Sequence, residues 1–308
     1  MSLQYPDIII YYIRTKNKSR KIVTYKSNSC ELCDYHKKVQ DFLTERFIPS
    51  IFSKGYVQGR SIYHNAVSHL YNDYFIMLDI KDFFQNINHK QLENKLFYEI
   101  NLISPNQISR KECKEIVDKC SISSIGLPLG FITSPILSNI YLKEFDNIFY
   151  GELKKMNLEN IMFTRYADDI TVSFKCDTKE KMAVIEADII EKVSSILKRY
   201  GLRLNTKKTR SYNLNLSNHV RVTGINIIKC PHGKRRLTIG RSVKNKLYWE
   251  AVNCFQCGNK DNIQHIKGMQ SFILSVEKNG YENCFSTNML KQINELGFAS
   301  LKDLIDSL

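Results

Sequence analysis

Long apolar runs are missing from this 308-residue chain. No stretch reaches the roughly 18 uncharged apolar residues that a membrane span requires, so the sequence predicts no membrane partner. Residues 1–20 also lack the basic start and apolar core that mark a secretory leader. We therefore expect a cytoplasmic protein rather than a secreted or membrane-embedded one.

Acidic residues are scarce relative to basic ones, because 31 Asp and Glu stand against 45 Lys and Arg, a formal net charge of +14. Such an excess favours polyanionic partners, since each neutralised phosphate releases condensed counterions. A solvated basic surface that keeps the protein soluble is the other interpretation. The basic residues cluster at 14–21 and 234–241. No linker rich in Pro, Gly or Ser and no internal repeat divides the chain.

The cysteines, nine in number, come without a secretory leader, which predicts free thiols. Two pairs have the spacing of zinc ligands, each with a histidine downstream: Cys30-x-x-Cys33 with His36, and Cys254-x-x-Cys257 with His265. The two pairs are far apart in the sequence, unlike the ligands of a compact zinc site. Buried thiols are therefore favoured over structural zinc.

The hydrophobic pattern changes along the chain from mixed to purely helical. Two β-rich runs around a basic turn predict an opening hairpin, and apolar runs next to Asp79 and Asp168 predict buried strands. Amphipathic helices are predicted between these strands. From Arg241 onward helices alone are predicted, so the candidate domain boundary lies near residue 240.

Three carboxylates stand at the ends of apolar strands. Asp79 ends YFIMLD, and Asp168 and Asp169 lie between IMFTRY and ITVSF. Taken alone, an Asp-Asp pair is usually an ordinary turn. Like charges this close oppose each other's ionisation unless a cation intervenes, and a pair of divalent metals is the usual device for in-line phosphoryl transfer. Oxygen ligands indicate Mg²⁺, two ions, with Mn²⁺ as a substitute.

The motifs around these carboxylates resemble, in order and spacing, those of reverse transcriptases. Tyr166–Asp169 resembles the YxDD box, and Leu78–Phe84 resembles the first catalytic strand and turn. Gly126–Pro135 is similar to the LPxG…SP floor of the nucleotide pocket, and Leu204–Thr209 to the next family block. The agreement covers about residues 10–230. Each motif is weak alone, whereas the ordered set is specific.

Two further elements resemble those of retron reverse transcriptases. Asn65-Ala66-Val67-Ser68-His69 is similar to their NAxxH element, and Val222-Thr223-Gly224 to their VTG element. The compact length, without an added endonuclease or RNase H region, agrees with that branch. A polar helix face and a strand-end turn are the plain interpretations of these two segments.

The resemblance implies an α+β, right-hand polymerase fold. Fingers and palm would combine an antiparallel sheet with helices, and the thumb would be all-helical. We expect part of the fingers over 1–75, the palm over 76–235 with a fingers segment interleaved at about 85–125, and the helical thumb over 236–308.

The resemblance also implies roles for individual residues. Asp79, Asp168 and Asp169 would be the catalytic metal ligands, and Phe84 would lie under the sugar and exclude a 2′-hydroxyl. The nucleotide-binding residues would be Arg20, Lys81, Asp82, Phe83, Phe84, Pro128, Leu129, Gly130 and Lys208. The RNA- and primer-binding residues would be Asn65, His69, Tyr166, Val222, Thr223, Gly224, Arg235, Arg236 and Arg241. Leu129 departs from the Gln of many relatives, which changes the contacts expected in the pocket.

Retron enzymes are dedicated to their own structured non-coding RNA, which serves as template and as 2′-hydroxyl primer. The expected partners are therefore that RNA, its branched DNA product, dNTPs and an effector protein in antiphage defence. A group II intron-like or abortive-infection reverse transcriptase is one alternative, and an RNA-binding scaffold that restrains an effector is another. An RNA polymerase conflicts with Phe84 as a sugar gate.

Overall fold

The computed structural model describes residues 7–15, 18–122, 125–176, 182–258 and 261–308, apart from the side chains of Thr15 and Lys18. Its strands are β1 (Ile8–Thr15), β2 (Lys18–Tyr25), β3 (Tyr74–Asp79), β4 (Glu159–Tyr166), β5 (Asp169–Lys175), β6 (Arg210–Asn213), β7 (Val220–Val222), β8 (Ile225–Lys229) and β9 (Arg235–Thr238). Its helices are α1 (Glu31–Arg46), α2 (Ile62–Val67), α3 (His89–Ile100), α4 (Arg110–Cys120), α5 (Ser134–Lys154), α6 (Met182–Arg199), α7 (Arg241–Cys257), α8 (Ile263–Val276), α9 (Thr287–Glu295) and α10 (Leu301–Ser307).

The chain divides into two compact units. The first comprises Met1–Ser61 and Asn72–Tyr212, and the second comprises Ile62–Tyr71 and Asn213–Leu308. Residues 62–71 thus belong to the second unit, although the segments immediately before and after them belong to the first. The assignment of these parts to fingers, palm and thumb stays a prediction.

The first unit is built on a four-stranded sheet of order β4-β5-β3-β6. β5 pairs antiparallel with both β3 and β4. Side chains of β3 and β5 are buried on both faces, which explains why these strands read as continuous apolar runs rather than alternating ones. Helix α5 begins at Ser134-Pro135, as expected for proline in a first turn, and supplies much of the buried core.

The hairpin of β1 and β2 is anchored to the loop that precedes α5. The backbone N–H of Gly130 donates to the Val23 carbonyl over 3.1 Å, and the N–H of Ile132 donates to the Tyr25 hydroxyl over 3.1 Å. His36 of α1 completes the contact, with Nδ1 2.7 Å from the same hydroxyl. The hairpin predicted from the sequence is therefore confirmed and has a defined attachment.

The second unit combines α2 with an antiparallel sheet of order β7-β8-β9 and the helices α7 to α10. Val220, Ile225 and Ile227 of the sheet are fully buried, as are Leu247 of α7 and Ile273 of α8. After Arg241 the described residues form helical elements only, as the patterning predicted. Among the described residues, no helix combines the length and the apolar character that crossing a bilayer requires.

Candidate active site

The three carboxylates meet at one end of the β3–β5 ladder. Asp79, the last residue of β3, lies directly opposite Asp169, the first residue of β5. Residues opposite one another in an antiparallel ladder have neighbouring Cβ atoms on one face of the sheet. Tyr166 also pairs with Asp169, so Ala167 and Asp168 alone form the turn from β4 to β5. The register therefore brings together the three residues that the sequence singles out.

The turn has a constrained backbone conformation. Ala167 has a positive φ of 56°, which fits the first central position of a type II′ hairpin turn. Gly55 lies against it, and a Cβ there would stand only 2.9 Å from the Ala167 nitrogen. The segment before Gly55 runs along β4, because Arg165 donates its N–H to the Phe52 carbonyl over 2.9 Å.

A buried ion pair next to the turn helps to fix its backbone. The guanidinium of Arg165 donates to both carboxylate oxygens of Asp146, over 2.7 Å and 2.9 Å, and neither side chain is exposed. Another nitrogen of the same guanidinium donates to the Ala167 carbonyl and to Asn139 Oδ1, each over 3.2 Å. Asn139 in turn donates to the Gly55 carbonyl over 3.0 Å. The backbone of the turn is thus held by α5 on one side and by Gly55 on the other.

This network was not identified from the sequence, although a signal was present. Asn139 and Asp146 lie seven positions apart within the apolar stripe of α5, which places them on one helix face two turns apart. Arg165 interrupts an apolar strand. Polar groups at such positions have buried partners, because an unpaired buried charge is strongly unfavourable.

Asp79 is neutralised by residues of the segment 205–208. Lys208 Nζ lies 2.7 Å from Asp79 Oδ1 and 2.8 Å from Oδ2. Asn205 donates its side-chain amide to Oδ1 over 2.9 Å and its backbone N–H to the Asp79 carbonyl over 2.7 Å. Lys208 was predicted as a nucleotide contact, and the structure places it on the first carboxylate. Asn205 was not predicted as a site residue, although it lies in the matching motif.

The carboxylates carry more negative charge than this one ammonium compensates. Burial raises the pKa of Asp168, and the neighbouring Asp79 carboxylate adds to the rise. Partial burial, followed by the charges of Asp168 and Asp79, raises the pKa of Asp169 to about 6. Both shifts have the sign that crowded carboxylates produce without a cation between them.

The donor set fits a divalent cation in its chemistry. Within the described ranges, no group of three or more His, Cys, Asp or Glu side chains converges on a single metal position. The oxygens of Asp79 are engaged by Lys208 and Asn205. Hard carboxylate oxygens with excess negative charge are the ligands that Mg²⁺ and Mn²⁺ prefer. The ammonium of Lys208 is the positive charge that now lies against Asp79.

The loop from Gly126 to Gly130 is clamped between two backbones. Gly126 has a φ of 73° and a Cβ there would overlap the Phe84 carbonyl oxygen, to which Leu127 donates its N–H over 2.9 Å. Gly130 approaches Val23 of β2 as closely. Between the glycines, Pro128 is buried and Leu129 is 41% exposed. The loop therefore exposes the Leu129 side chain, and its place in a nucleotide pocket stays a prediction.

In the segment that follows Asp79, two exposed side chains precede two buried ones. Lys81 and Asp82 are exposed, and Asp82 has a positive φ of 47°. Phe83 and Phe84 are buried, with ring centroids 5.2 Å apart. Arg20 is exposed on β2, opposite Ile13 of β1. Their roles at a nucleotide stay predictions.

Comparison with known families identifies the family of the chain. The family described as "Reverse transcriptase (RNA-dependent DNA polymerase)" matches residues 16–227, more than half of the chain. The chain belongs to the reverse transcriptase family. The predicted enzyme class, an RNA-directed DNA polymerase, is thereby confirmed, and the family depends on divalent metal.

The curated relatives that this reverse transcriptase resembles are retron enzymes. It is 28% identical over 277 residues to the retron Ec86 reverse transcriptase of Escherichia coli, covering 88% of this chain and 77% of the relative. It is 30% identical over 197 residues to the retron Ec73 reverse transcriptase of the same species, covering 62% of this chain and 59% of the relative. The retron-type resemblance predicted from the motifs is confirmed.

A solved structure supports the fold of this reverse transcriptase. Apo telomerase from Candida tropicalis superposes with a TM-score of 0.52 and 15% identity, covering 96% of this chain and 58% of the telomerase chain. The chain thus spans little more than half the length of that protein. At this identity the likeness concerns the fold alone, and it confirms the predicted α+β class together with the strands and helices described above.

The two retron-like elements of the reverse transcriptase contact each other within the second unit. The side-chain amide of Asn65 donates to the Thr223 hydroxyl over 3.1 Å. Asn65 and His69 are buried, with 1% and 0% exposure, and Val222 is buried as well. Thr223 and Gly224 both have positive φ values, 43° and 93°. The NAxxH element therefore supports the VTG turn.

The remaining predicted RNA contacts lie on two parts of the reverse transcriptase. Tyr166 is partly exposed beside the carboxylate turn. Arg236 and Arg241 are exposed, and Arg235 is partly exposed with a guanidinium nitrogen 3.5 Å from the Leu70 carbonyl. The structure brings Arg236 and Arg241 to one cavity.

One residue near the carboxylates was missed. Tyr56 is 51% exposed, has a positive φ of 59°, and its ring lies 6.3 Å from that of Tyr166. Partial burial and the Asp168 charge raise the pKa of Tyr56. A tyrosine between two glycine-containing turns was the available signal, and left-handed backbone in such a residue indicates a constrained site.

Proposed function

We propose that this reverse transcriptase copies RNA into DNA with Asp79, Asp168 and Asp169 as ligands of two Mg²⁺ ions, for which Mn²⁺ can substitute. The observation that carries the proposal is the register of β3 and β5, which sets Asp79 opposite Asp169 across the turn that contains Asp168. When bound, the ions neutralise phosphate charge and favour ionisation of the primer hydroxyl.

The residues around the carboxylates position and compensate them. Asn205 orients the Asp79 carboxylate through its amide, and the Arg165 guanidinium fixes the Ala167 carbonyl of the turn. Lys208, whose side chain is 44% exposed, compensates Asp79 and can turn toward an incoming phosphate. No protein nucleophile is required, because the primer hydroxyl attacks the α-phosphate while the protein supplies positioning and charge.

The nucleotide would lie against Phe84 and the loop of Pro128, Leu129 and Gly130. The close packing of Gly126 on the Phe84 carbonyl makes the two segments one rigid surface. Arg20, Lys81, Asp82 and Phe83 belong to the same proposed pocket. Phe84→Ala is expected to relax selection against ribonucleotides in single-nucleotide incorporation, and unchanged sugar selectivity would remove the gate assignment.

We further propose that the enzyme is dedicated to its own structured non-coding RNA, begins DNA synthesis from a 2′-hydroxyl of that RNA, and leaves a branched, RNA-linked single-stranded DNA. Antiphage defence with an effector protein is the biological setting we propose. The similarity to retron reverse transcriptases supports this, and so does the contact between the NAxxH and VTG elements. Because Asn65 and His69 are buried, they would act on RNA through the turn that they support.

The test begins with the protein purified from cells that carry its native flanking DNA, followed by analysis of the nucleic acid that accompanies it. We expect a covalent RNA–DNA species, which disappears with Asp168→Asn while RNA binding persists. RNA without DNA from the active protein would favour a scaffold that holds RNA. General primer extension without a dedicated RNA would favour a group II intron-like or abortive-infection branch.

A further inference from the structure

The second unit contains a cavity of about 640 Å³, and all the residues that line it belong to that unit. These residues are distant in sequence from the three carboxylates. The cavity is bounded by β7, β8 and β9, by the beginning of α7 and by the segment after α8. Its volume lies within the range of about 300–1,000 Å³ that is typical of ligand sites. A single nucleotide therefore has room in it.

Three arginines from separate elements line this cavity. Arg221 comes from β7, Arg236 from β9 and Arg241 from the first turn of α7. All three are exposed, and among the described residues none of their guanidiniums forms a hydrogen bond or an ion pair. Arginines that pair with nothing in the protein are available to an anion, and their planar fork suits a phosphate.

One acid lines the cavity in the part of the chain that the structure describes, and its charge is already compensated. Glu277 accepts from Lys244 Nζ over 2.9 Å, from the Thr238 hydroxyl over 2.8 Å and from the Ile239 N–H over 3.0 Å. Lys244 and Glu277 are both nearly inaccessible. The pair ties β9 to α7 and to the end of α8, so it shapes the floor of the cavity without repelling a phosphate.

Helix α7 adds a second feature to the same wall. The residue before its first turn, Gly240, has a φ of 94° and provides no side-chain cap. The first N–H groups of a helix have no intrahelical acceptor, and the helix dipole favours negative charge there. Because α7 is 17 residues long, this end reinforces the field of the three arginines.

The cavity also contains a hydrogen-bond acceptor without a partner in the described structure, which suits a ligand that carries a donor. Asn226 lines the cavity, and its Oδ1 is buried without a hydrogen-bond partner in the described structure. Its Nδ2 lies 2.8 Å from where a Cβ of residue 240 would stand, so glycine at 240 leaves room for the amide. Buried polar atoms of this kind normally have a partner. Inorganic phosphate carries its charge and its O–H groups on one small anion, whereas a nucleotide also carries N–H and O–H donors at a distance from its phosphate.

We propose that this cavity binds one nucleotide of an RNA strand, with its phosphate among Arg221, Arg236 and Arg241 and with a base N–H or ribose hydroxyl donating to Asn226. The inference rests on the proposed function only in that RNA is the strand. In this proposal the cavity holds one particular nucleotide of the strand. A basic surface, by contrast, would bind the phosphate backbone of the RNA at any position.

The experiment measures the affinity of the full-length protein for a fluorescein-labelled 20-nucleotide RNA by anisotropy, at several salt concentrations and without dNTPs or Mg²⁺. The combined variant Arg221→Ala, Arg236→Ala, Arg241→Ala is compared with Lys246→Ala, Lys291→Ala, Lys302→Ala. The second variant removes the same charge from exposed positions of the same unit that do not line the cavity.

We expect the arginine variant to bind at least tenfold more weakly and its salt dependence to decrease, since each lost phosphate contact lowers the slope by about one. The lysine variant should change little. Equal losses in the two variants would overturn the proposal in favour of a diffuse basic surface. Circular dichroism of both variants establishes that each is folded.

A second variant tests the donor contact. Asn226→Ala should weaken RNA binding several-fold with an unchanged salt slope, because no charge is removed, and guanosine monophosphate should compete better than inorganic phosphate. Wild-type affinity in Asn226→Ala, or equal competition by phosphate, would overturn the nucleotide assignment. Primer extension by the wild type on oligo(dT)-primed poly(rA) tests the proposed polymerase function separately, since the binding assay requires no synthesis.

Discussion

Asn65 and Thr223 are 158 positions apart in the sequence, and the amide of the first donates to the hydroxyl of the second over 3.1 Å. Val222 pairs with Ile225, so Thr223 and Gly224 form a two-residue turn between β7 and β8. Both have positive φ, the requirement of a type I′ turn. Threonine rarely adopts this conformation, and the bond from Asn65 holds it there.

The Thr223 hydroxyl should therefore stabilise the protein measurably. Thr223→Val removes the acceptor and leaves a buried amide unpaired, so we expect the free energy of unfolding to fall by about 1–2 kcal/mol. Urea denaturation followed by circular dichroism measures the change. Thr223→Ser keeps the hydroxyl and is the matched control. Equal stability of the valine and serine variants would show that the bond contributes nothing.

The sequence was sufficient to predict the strands that carry the three carboxylates, because their signals are local. Asp79 ends one apolar run, and Asp168 lies between two others, so strand ends and a hairpin turn follow from a short window. The β1–β2 hairpin and the helices after Arg241 are predicted for the same reason. The family motifs then joined these local predictions into one site.

Contacts between distant segments could not be predicted in this way. The pairing of Arg165 with Asp146 depends on how α5 packs under β4, and the approach of Asn65 to Thr223 depends on residues 62–71 joining the second unit. Neither follows from periodicity, since a polar residue on a buried face has many candidate partners. Both were visible in the sequence only as polar interruptions of apolar patterns.

The buried pair of Arg165 and Asp146 should be one of the most sensitive positions of the first unit. Asp146→Asn leaves the guanidinium uncompensated in an inaccessible site, and breaking such pairs costs about 3–5 kcal/mol. We expect a corresponding fall in the urea midpoint and slower primer extension, because Arg165 also holds the Ala167 carbonyl.

The control for this variant is Asp118→Asn, which breaks the exposed pair with Lys114 on α4. Exposed pairs contribute little, so its stability should match the wild type. If Asp146→Asn were as stable as Asp118→Asn, the hydrogen-bond network around Arg165 would not contribute to the stability of the fold.

Glycine at 126 is required by its surroundings as well as by its backbone. Gly126→Ala would force a methyl group into the Phe84 carbonyl at a φ of 73°, so we expect poor folding or a large fall in the melting temperature. Gly151→Ala meets nothing within 4 Å inside α5. It should be neutral or stabilise by about 0.5–1 kcal/mol. Differential scanning calorimetry compares the two, and similar melting temperatures would contradict the clamp.

His36 should make stability depend on pH. Burial lowers its pKa, and the ring is held neutral, with Nε2 donating to the Lys119 carbonyl over 3.0 Å and Nδ1 accepting from the Tyr25 hydroxyl over 2.7 Å. The unfolded chain binds a proton below about pH 6.5 that the folded chain does not. The stabilisation is therefore complete above that pH and declines as pH falls toward the folded pKa.

His36→Gln isolates this contribution, because glutamine can keep both hydrogen bonds and does not titrate. Between about pH 7.5 and about pH 5.5, we expect the melting temperature of the wild type to fall by more than that of the variant. Tyr35 also faces the ring, at a centroid distance of 6.0 Å, but it does not titrate in this range. Parallel curves for the two proteins would mean that His36 takes up its proton equally in the folded and unfolded states.

Tyr56 should contact nucleic acid beside the turn that contains Asp168. Its ring is half exposed and lies 6.3 Å from Tyr166, although its φ of 59° is unfavourable for tyrosine. Base–aromatic stacking contributes about 1–3 kcal/mol, so Tyr56→Ala should raise the KM for primer–template roughly tenfold with a smaller change in kcat. Tyr56→Phe keeps the ring and should retain near wild-type kinetics. An alanine variant with an unchanged KM would contradict the stacking of a base on Tyr56.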